Sequence, residues 1–304
     1  MPHTLIGLGE ALFDVFDSGP RLGGAPLNVA AHAHQLLAPA GGRAFPVSRV
    51  GQDALGDRLV REVADRGMTT DGLQRDPDKP TGRVTIERTA DGGHRFHILP
   101  DQAYDWLQAD PDLLRLMRDA DAVAFGCLAQ RNGQARQTIH RLLREARDGG
   151  ARLCFDVNLR SSDGRDFYDA AILRHGCEVA HDLKLNDEEL AVVNRLTRTR
   201  DADDLLRTFD LDTLIFTRGA AGTAAYTRDG LVEGEPATVA EDRKHPDADT
   251  VGAGDSCTAA WLVARLQNRP IPECLTLANR LAAFVAHQAG AVPDLPDDLV
   301  AAFG

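Results

Sequence analysis

The order of apolar and polar positions divides the chain into two kinds of segment. An apolar run, TLIGLG from Thr4, is followed by PLNVAAHAHQLL, where apolar residues recur at helical spacing. RAFPVSRVG from Arg43 and ALGDRLVREVADRG from Ala54 repeat the pair. After residue 120 the rhythm resumes. DAVAFG, ARLCFDVN, HDLKLN and DTLIFTRG predict buried strands, separated by segments of helical periodicity such as GQARQTIHRLLREARDGG. Strand and helix alternating in this way predict an α/β fold with a mostly parallel sheet and helices on both faces. Ligands of such sheets gather outside the carboxyl ends of the strands.

Two stretches break the rhythm. LFDVFDS (Leu12 to Ser18) and TGRVTIERTADGGHRFHIL (Thr81 to Leu99) alternate with a period of two, and ADGGH is a turn between strands, so they predict a small antiparallel flap. The pattern alone fits a lid over a ligand or an ordinary edge hairpin. Arg83, Phe96 and Tyr104 are the residues of this region that would cover a ligand, with core contact the plainer role for the aromatics. With no internal repeat or low-complexity linker, the expectation is a single domain over residues 1–304, its lid strands drawn from about 12–18 and 81–99.

Composition narrows the classes. The formal charge of -12 argues against a nucleic-acid partner, which clustered Lys and Arg would serve. No run approaches the ~18 apolar residues of a membrane span, and the first ten residues lack a secretory pattern, so the expected location is cytoplasmic without a membrane partner. Five scattered cysteines, none in a CxxC pair, offer neither a disulfide framework nor a zinc site.

The chemistry concentrates in DTVGAGD (Asp249 to Asp255). A glycine-rich turn feeding a helix aims unpaired backbone N–H groups at one point, with the positive end of the helix dipole behind them, and so prepares an anion site. Asp255 by itself is equally a helix-capping aspartate. Three small residues in a row, Gly252, Ala253 and Gly254, add a backbone that a ligand can approach closely, which suits phosphoryl transfer with Asp255 as the proton acceptor. The same dipole favours the ionised carboxylate. FDVNLR (Phe155 to Arg160) puts Asp156, Asn158 and Arg160 at alternate positions, which on a continuing strand project to one side. Asp14 and Asn28 have hydroxyl-binding chemistry, and Gly24 permits close approach, although turn and helix-start roles suit the first two as well.

DTVGAGD resembles the signature of the PfkB, or ribokinase-like, family of sugar kinases. GGAPLNVA (Gly23 to Ala30) is similar to that family's sugar-binding motif in its fructokinase-like form, GEALFD (Gly9 to Asp14) to the strand before it, and GQDALG (Gly51 to Gly56) to a mainly architectural segment. The resemblance spans nearly the whole chain. It implies a three-layer sandwich with a small β lid and an ATP-dependent transfer to a sugar hydroxyl. By it, Asp255 is the base, the N–H groups of Gly252, Ala253 and Gly254 form the anion hole, and Arg160 lies near the phosphoryl path or an acidic sugar, although a salt-bridged arginine at a strand end explains it as well. Asp14, Gly24, Asn28, Asp156 and Asn158 face the sugar.

On the nucleotide side the resemblance extends to Asn186 and Glu189 in KLNDEEL, the glutamate ordering water around Mg²⁺, and to Thr217, Gly219 and Gly222 in TRGAAG. Gly254 also faces the nucleotide, and Asn279 matches a position near the adenine. Asp249, Val251, Val285, Gln288 and Gly290 fall where some members hold K⁺. An acidic helix start explains NDEE equally well. Neither a P-loop nor a dinucleotide fingerprint is present. Fructose is the leading substrate. 2-Keto-3-deoxygluconate, another sugar or a nucleoside is the alternative, and a silent sugar- or nucleotide-binding regulator is the alternative outside enzymes. A homodimer joined through its lids is implied by the resemblance alone.

Overall fold

The computed structural model describes residues 2–16, 19–88 and 94–304. Adjacent residues of its central strands enter different cores. Leu5, Ala122, Ala124 and Cys154 belong to the core on one face, while Ile6, Val123, Phe125, Leu153 and Phe155 belong to that on the other. The two-residue pleat produces this division, and burial on both faces explains why these strands read as unbroken apolar runs.

In chain order the strands are β1 (Thr4–Leu8), β2 (Leu12–Phe16), β3 (Gly19–Gly23), β4 (Arg43–Gly51), β5 (Leu73–Asp76), β6 (Gly82–Arg88), β7 (His94–Ile98), β8 (Ala122–Phe125), β9 (Arg152–Asp156), β10 (Ser161–Ser162), β11 (Arg165–Asp166), β12 (Asp182–Asn186), β13 (Thr213–Thr217), β14 (Thr223–Thr227) and β15 (Gly230–Glu233). The helices are α1 (Ala25–Leu37), α2 (Ala54–Asp65), α3 (Pro111–Arg118), α4 (Gly133–Asp148), α5 (Ala170–Val179), α6 (Asp187–Thr197), α7 (Ala202–Thr208), α8 (Ala253–Leu266), α9 (Ile271–Val285) and α10 (Asp297–Ala301). Nine strands form the central sheet in the order β15-β14-β13-β12-β9-β8-β1-β4-β5. From β13 to β5 every pairing is parallel, and the edge pairs β13/β14 and β14/β15 are antiparallel. The chain leaves β1 toward β4 on one side and later toward β8 on the other, so the crevice beyond β1 is a topological switch point. Helices α1, α8 and α9 cover one face around the buried Trp261, and the fold is an α/β sandwich.

A second sheet of four strands, β3-β2-β6-β7, carries the stretches that alternate with period two. It differs from the expected flap in being mixed: β2 and β6 run parallel, while β2/β3 and β6/β7 are antiparallel. Parallel pairing follows from the long excursion through α1, β4 and α2 that separates the two stretches, since a tight turn can join only antiparallel strands. The turn expected at ADGGH, the end of LFDVFDS and the side chain of Phe96 lie outside what is described. Asp53 secures the small sheet: it caps α2 by accepting from Gly56 N at 2.7 Å and also accepts from Thr81 N (2.8 Å) and Oγ1 (2.6 Å), at the start of β6. Tyr104 is 1% exposed and packed under Gly82, so it is a wall of the interior and not a cover over a ligand.

Candidate active site

The ends of β1, β8 and β9 and the start of α1 converge on one cavity, lined among others by Glu10, Pro26, Gly126, Asp156 and Asn158. The turn into α1 passes through Gly24 at φ 108°, and a Cβ there would run into the Glu10 carbonyl, so this approach requires glycine. Pro26 in the first turn suits the helix start. One turn in, Asn28 Nδ2 donates to Asp255 Oδ2 at 2.8 Å across 227 positions of sequence. Its Oδ1 is buried without a partner among the described residues.

Asp255 is the third residue of α8, whose N-cap is Gly252 at φ 81°. That left-handed backbone, and the Ala291 carbonyl where a Cβ would stand, exclude other residues from position 252. Ala253 N is turned back onto the Thr250 carbonyl at 3.3 Å, whereas the N–H groups of Gly252 and Gly254 have no partner among the described residues. The dipole does not decide the protonation of Asp255. Burial, then the nearby Asp156 carboxylate, push its pKa up to about 6, against the pull of Asn28, Lys184 and Arg160. Asp14, half-buried on β2, also stands at about 6, raised by burial and by Asp255 and lowered by Arg160. Arg160 is exposed, carries no ion pair among the described residues, and is the cation that these carboxyls share.

The expected stripe of Asp156, Asn158 and Arg160 is corrected by the backbone. β9 stops at Asp156, and Asn158 takes φ 38°, so the strand alternation does not continue. Nor is Asp156 an open acceptor. Both its oxygens receive Lys184 Nζ, at 2.7 and 2.8 Å, and Oδ2 also accepts from Thr258 Oγ1 at 2.8 Å. Burial, the largest influence on Lys184, opposes its charge, yet the paired carboxylate wins and raises the ammonium pKa above its ordinary value. Gly254 lies beside this ammonium, 3.6 Å from its Nζ to where a Cβ would stand.

A cleft of about 540 Å³ opens on the other side of the glycine turn. It brings together Asn186, Thr217, Gly219, Gly222, Gly254 and Asn279, with Ala253. Asn279 is committed to the framework: its Oδ1 accepts from Thr223 Oγ1 at 2.9 Å and its Nδ2 donates to the Glu235 carbonyl at 2.7 Å. Asn186 and Glu189 form a capping box at the start of α6, and the second Glu189 oxygen accepts from Leu159 N at 2.9 Å. Each oxygen of Glu189 thus keeps acceptor capacity, which fits a water shell around a hard cation. Behind the turn, Asp249 bridges Gln288 and its carboxylate accepts from Val251 N and Gly290 N, while Val285 offers a carbonyl bonded to Gln288 N. The oxygens at hand are the Asp249 carboxylate and the Val285 and Gln288 carbonyls, the kind of donor a hard monovalent cation takes.

Sequence reasoning missed Lys184, Thr258 and Glu10 as site residues. A lysine inside the apolar strand HDLKLN was the available signal for the first, and the position of Glu10 at the carboxyl end of β1 was that for the last.

The fold is that of ribokinase-like kinases. The crystal structure of fructokinase from Xylella fastidiosa with bound ATP matches with a TM-score of 0.84 at 23% identity, covering 100% of this chain and 98% of that one. A double mutant of fructokinase from Vibrio cholerae O395, in its fructose, ADP and potassium ion bound form, matches at 0.79 and 22% identity over 99% and 98% of the two chains. Probable fructokinase-4 of Arabidopsis thaliana is 29% identical over 307 residues, covering 97% of this chain and 90% of that protein. Residues 10–298 match the pfkB family carbohydrate kinase, and the chain belongs to that family. It is an ATP-dependent sugar kinase of fructokinase-like sequence.

Proposed function

We propose that this chain transfers the γ-phosphoryl group of ATP to a primary hydroxyl of fructose, with Asp255 as general base. The observation that carries the reading is the position of Asp255: it is bound by Asn28 of α1, the helix whose start lines the cavity at the ends of β1, β8 and β9, while its neighbours Ala253 and Gly254 line the cleft of about 540 Å³. Asp255 takes the hydroxyl proton as the oxygen attacks phosphorus, and the bond to the β-phosphate oxygen breaks. The N–H groups of Gly252, Ala253 and Gly254 and the Arg160 guanidinium stabilise the charge on the equatorial oxygens, Ala253 by releasing Thr250. Asp14, Gly24, Asn28 and Asn158 hold the sugar, and Asp156 acts through the Lys184 pair that fixes the field around Asp255. ATP lies along Thr217, Gly219, Gly222 and Gly254, with Asn279 fixing the wall behind it.

Glu189 would hold Mg²⁺ through its water shell and Asn186 would lie near the ATP phosphates, where the ion would screen charge. K⁺ would be held beside Asp249, Val251, Val285, Gln288 and Gly290, and would there steady the turn that carries the N–H groups. The reading includes one functional domain, a cytoplasmic location and a homodimer joined through the small sheets, which sedimentation would detect as a doubled mass.

A second reading rests on Arg160, whose exposed guanidinium, without an ion pair among the described residues, suits the carboxylate of 2-keto-3-deoxygluconate. Fructose, ribose, 2-keto-3-deoxygluconate, fructose phosphates and adenosine, each with MgATP and coupled detection of ADP, separate the readings. Highest kcat/KM on fructose is expected. Preference for the sugar acid selects the second reading, and ATP binding without turnover of any acceptor overturns both in favour of a regulator.

A further inference from the structure

Glu10 has no part in the chemistry above. It lies at the switch point beyond β1, is 5% exposed, and is clamped beneath the turn at Gly24. Its Oε2 is fully buried with no hydrogen-bond partner among the described residues. The carboxyl lines the cavity that also holds Asp156 and Asn158, and the free space there, about 10 Å³, is room for a single polar atom or water. Its own amide and that of Ala25 favour the charged form, which gives the side chain a share in starting α1 but leaves Oε2 unexplained. The charges it feels most are Arg160 and Asp255, so it belongs to the sugar side. Burial dominates and pushes its pKa up to about 7, so at neutral pH it exists in both forms and can accept from a hydroxyl or donate to one. A buried polar oxygen left unpaired by the protein points to a partner from outside it.

We propose that Glu10 is a specificity-determining residue whose Oε2 pairs, at the mouth of this cavity, with a second sugar hydroxyl, other than the one Asp255 activates. The proposal rests on the sugar-kinase reading above. A hydroxyl fits because it both donates and accepts, matching either form of the carboxyl, and because the cavity is too small for a larger group.

The test is a set of monodeoxy analogues of the accepted sugar, with kcat and KM measured separately for the wild type, Glu10→Ala and Glu10→Gln. The wild type should disfavour one analogue by roughly tenfold to a hundredfold in kcat/KM. Glu10→Ala should lose that discrimination and keep the others. An equal loss on every analogue would assign Glu10 to the start of α1 alone and overturn the proposal, as would ratios unchanged from the wild type. If Glu10→Ala does not fold, Glu10→Gln, which keeps the size of the side chain, must shift the ratio for that analogue only, and an unshifted ratio overturns the proposal. A wild type inactive on every sugar defeats the kinase reading itself, whereas an active one with unchanged ratios defeats only the role of Glu10.

Discussion

Asn28 and Asp255 form a pair whose separate effects can be measured. With the Asp255 pKa near 6, a base that works as the carboxylate gains activity as pH rises through about 6 and reaches a plateau above it. The Asn28 amide lowers that pKa by donating to the charged form. Asn28→Ala should therefore move the rising limb of kcat/KM to higher pH, costing more activity at pH 6 than at pH 8; a loss equal at both pH values would assign Asn28 to sugar binding alone. Lys184 is a separate case. Its removal in Lys184→Met leaves Asp156 buried with only Thr258, a loss of about 3–5 kcal/mol in chemical denaturation, most of which Asp156→Leu in the same chain should restore.

Helices α4 and α5 meet through His140 and His175, whose rings stack at 3.5 Å between centroids. Burial, then the neighbouring histidine, lowers the His140 pKa to about 4, and burial lowers that of His175 as well. Between the ordinary value of 6.5 and about 4, the unfolded chain binds a proton at His140 that the folded chain refuses, so stability falls as pH drops through this window. Replacement by Phe in His140→Phe should flatten the denaturation midpoint between pH 6.5 and 4.5 relative to the wild type; parallel curves would contradict this. The elements that sequence reading recovered best were those buried on both faces, because the two cores leave no polar interruption in β1, β8 or β9. β3 was missed because GPRLG, with two glycines and a proline, has no alternation to read and lies at an edge, where proline is tolerated. The end of β9 was missed because the turn at Asn158 depends on α6, whose Glu189 binds Leu159 N.

The candidate site was legible wherever chemistry is local in sequence, as in the glycine turn at Gly252 and the capping box of Asn186 and Glu189. Partners brought together by the sheet were not legible: Lys184 and Asp156 are 28 positions apart, and Glu10 reveals its isolation only inside the folded interior. The first turn of α8 lines the larger cleft with Ala253 and Gly254 while Asn28 binds its Asp255, so on the proposed reading a substitution at Asp255 should stop chemistry and leave the cleft intact. MgATP should accordingly stabilise both the wild type and Asp255→Asn against heat, by about 2.7 kcal/mol at a hundredfold excess over its Kd.

The most direct measurement is the turnover of Asp255→Asn on the accepted sugar, taken beside its calorimetric affinity for MgATP. With Asp255 as the base, kcat falls by roughly 10² to 10⁴ while the ATP affinity stays within a few-fold of the wild type. Retention of more than about a tenth of the wild-type kcat would contradict the account, because the proton would then have another acceptor.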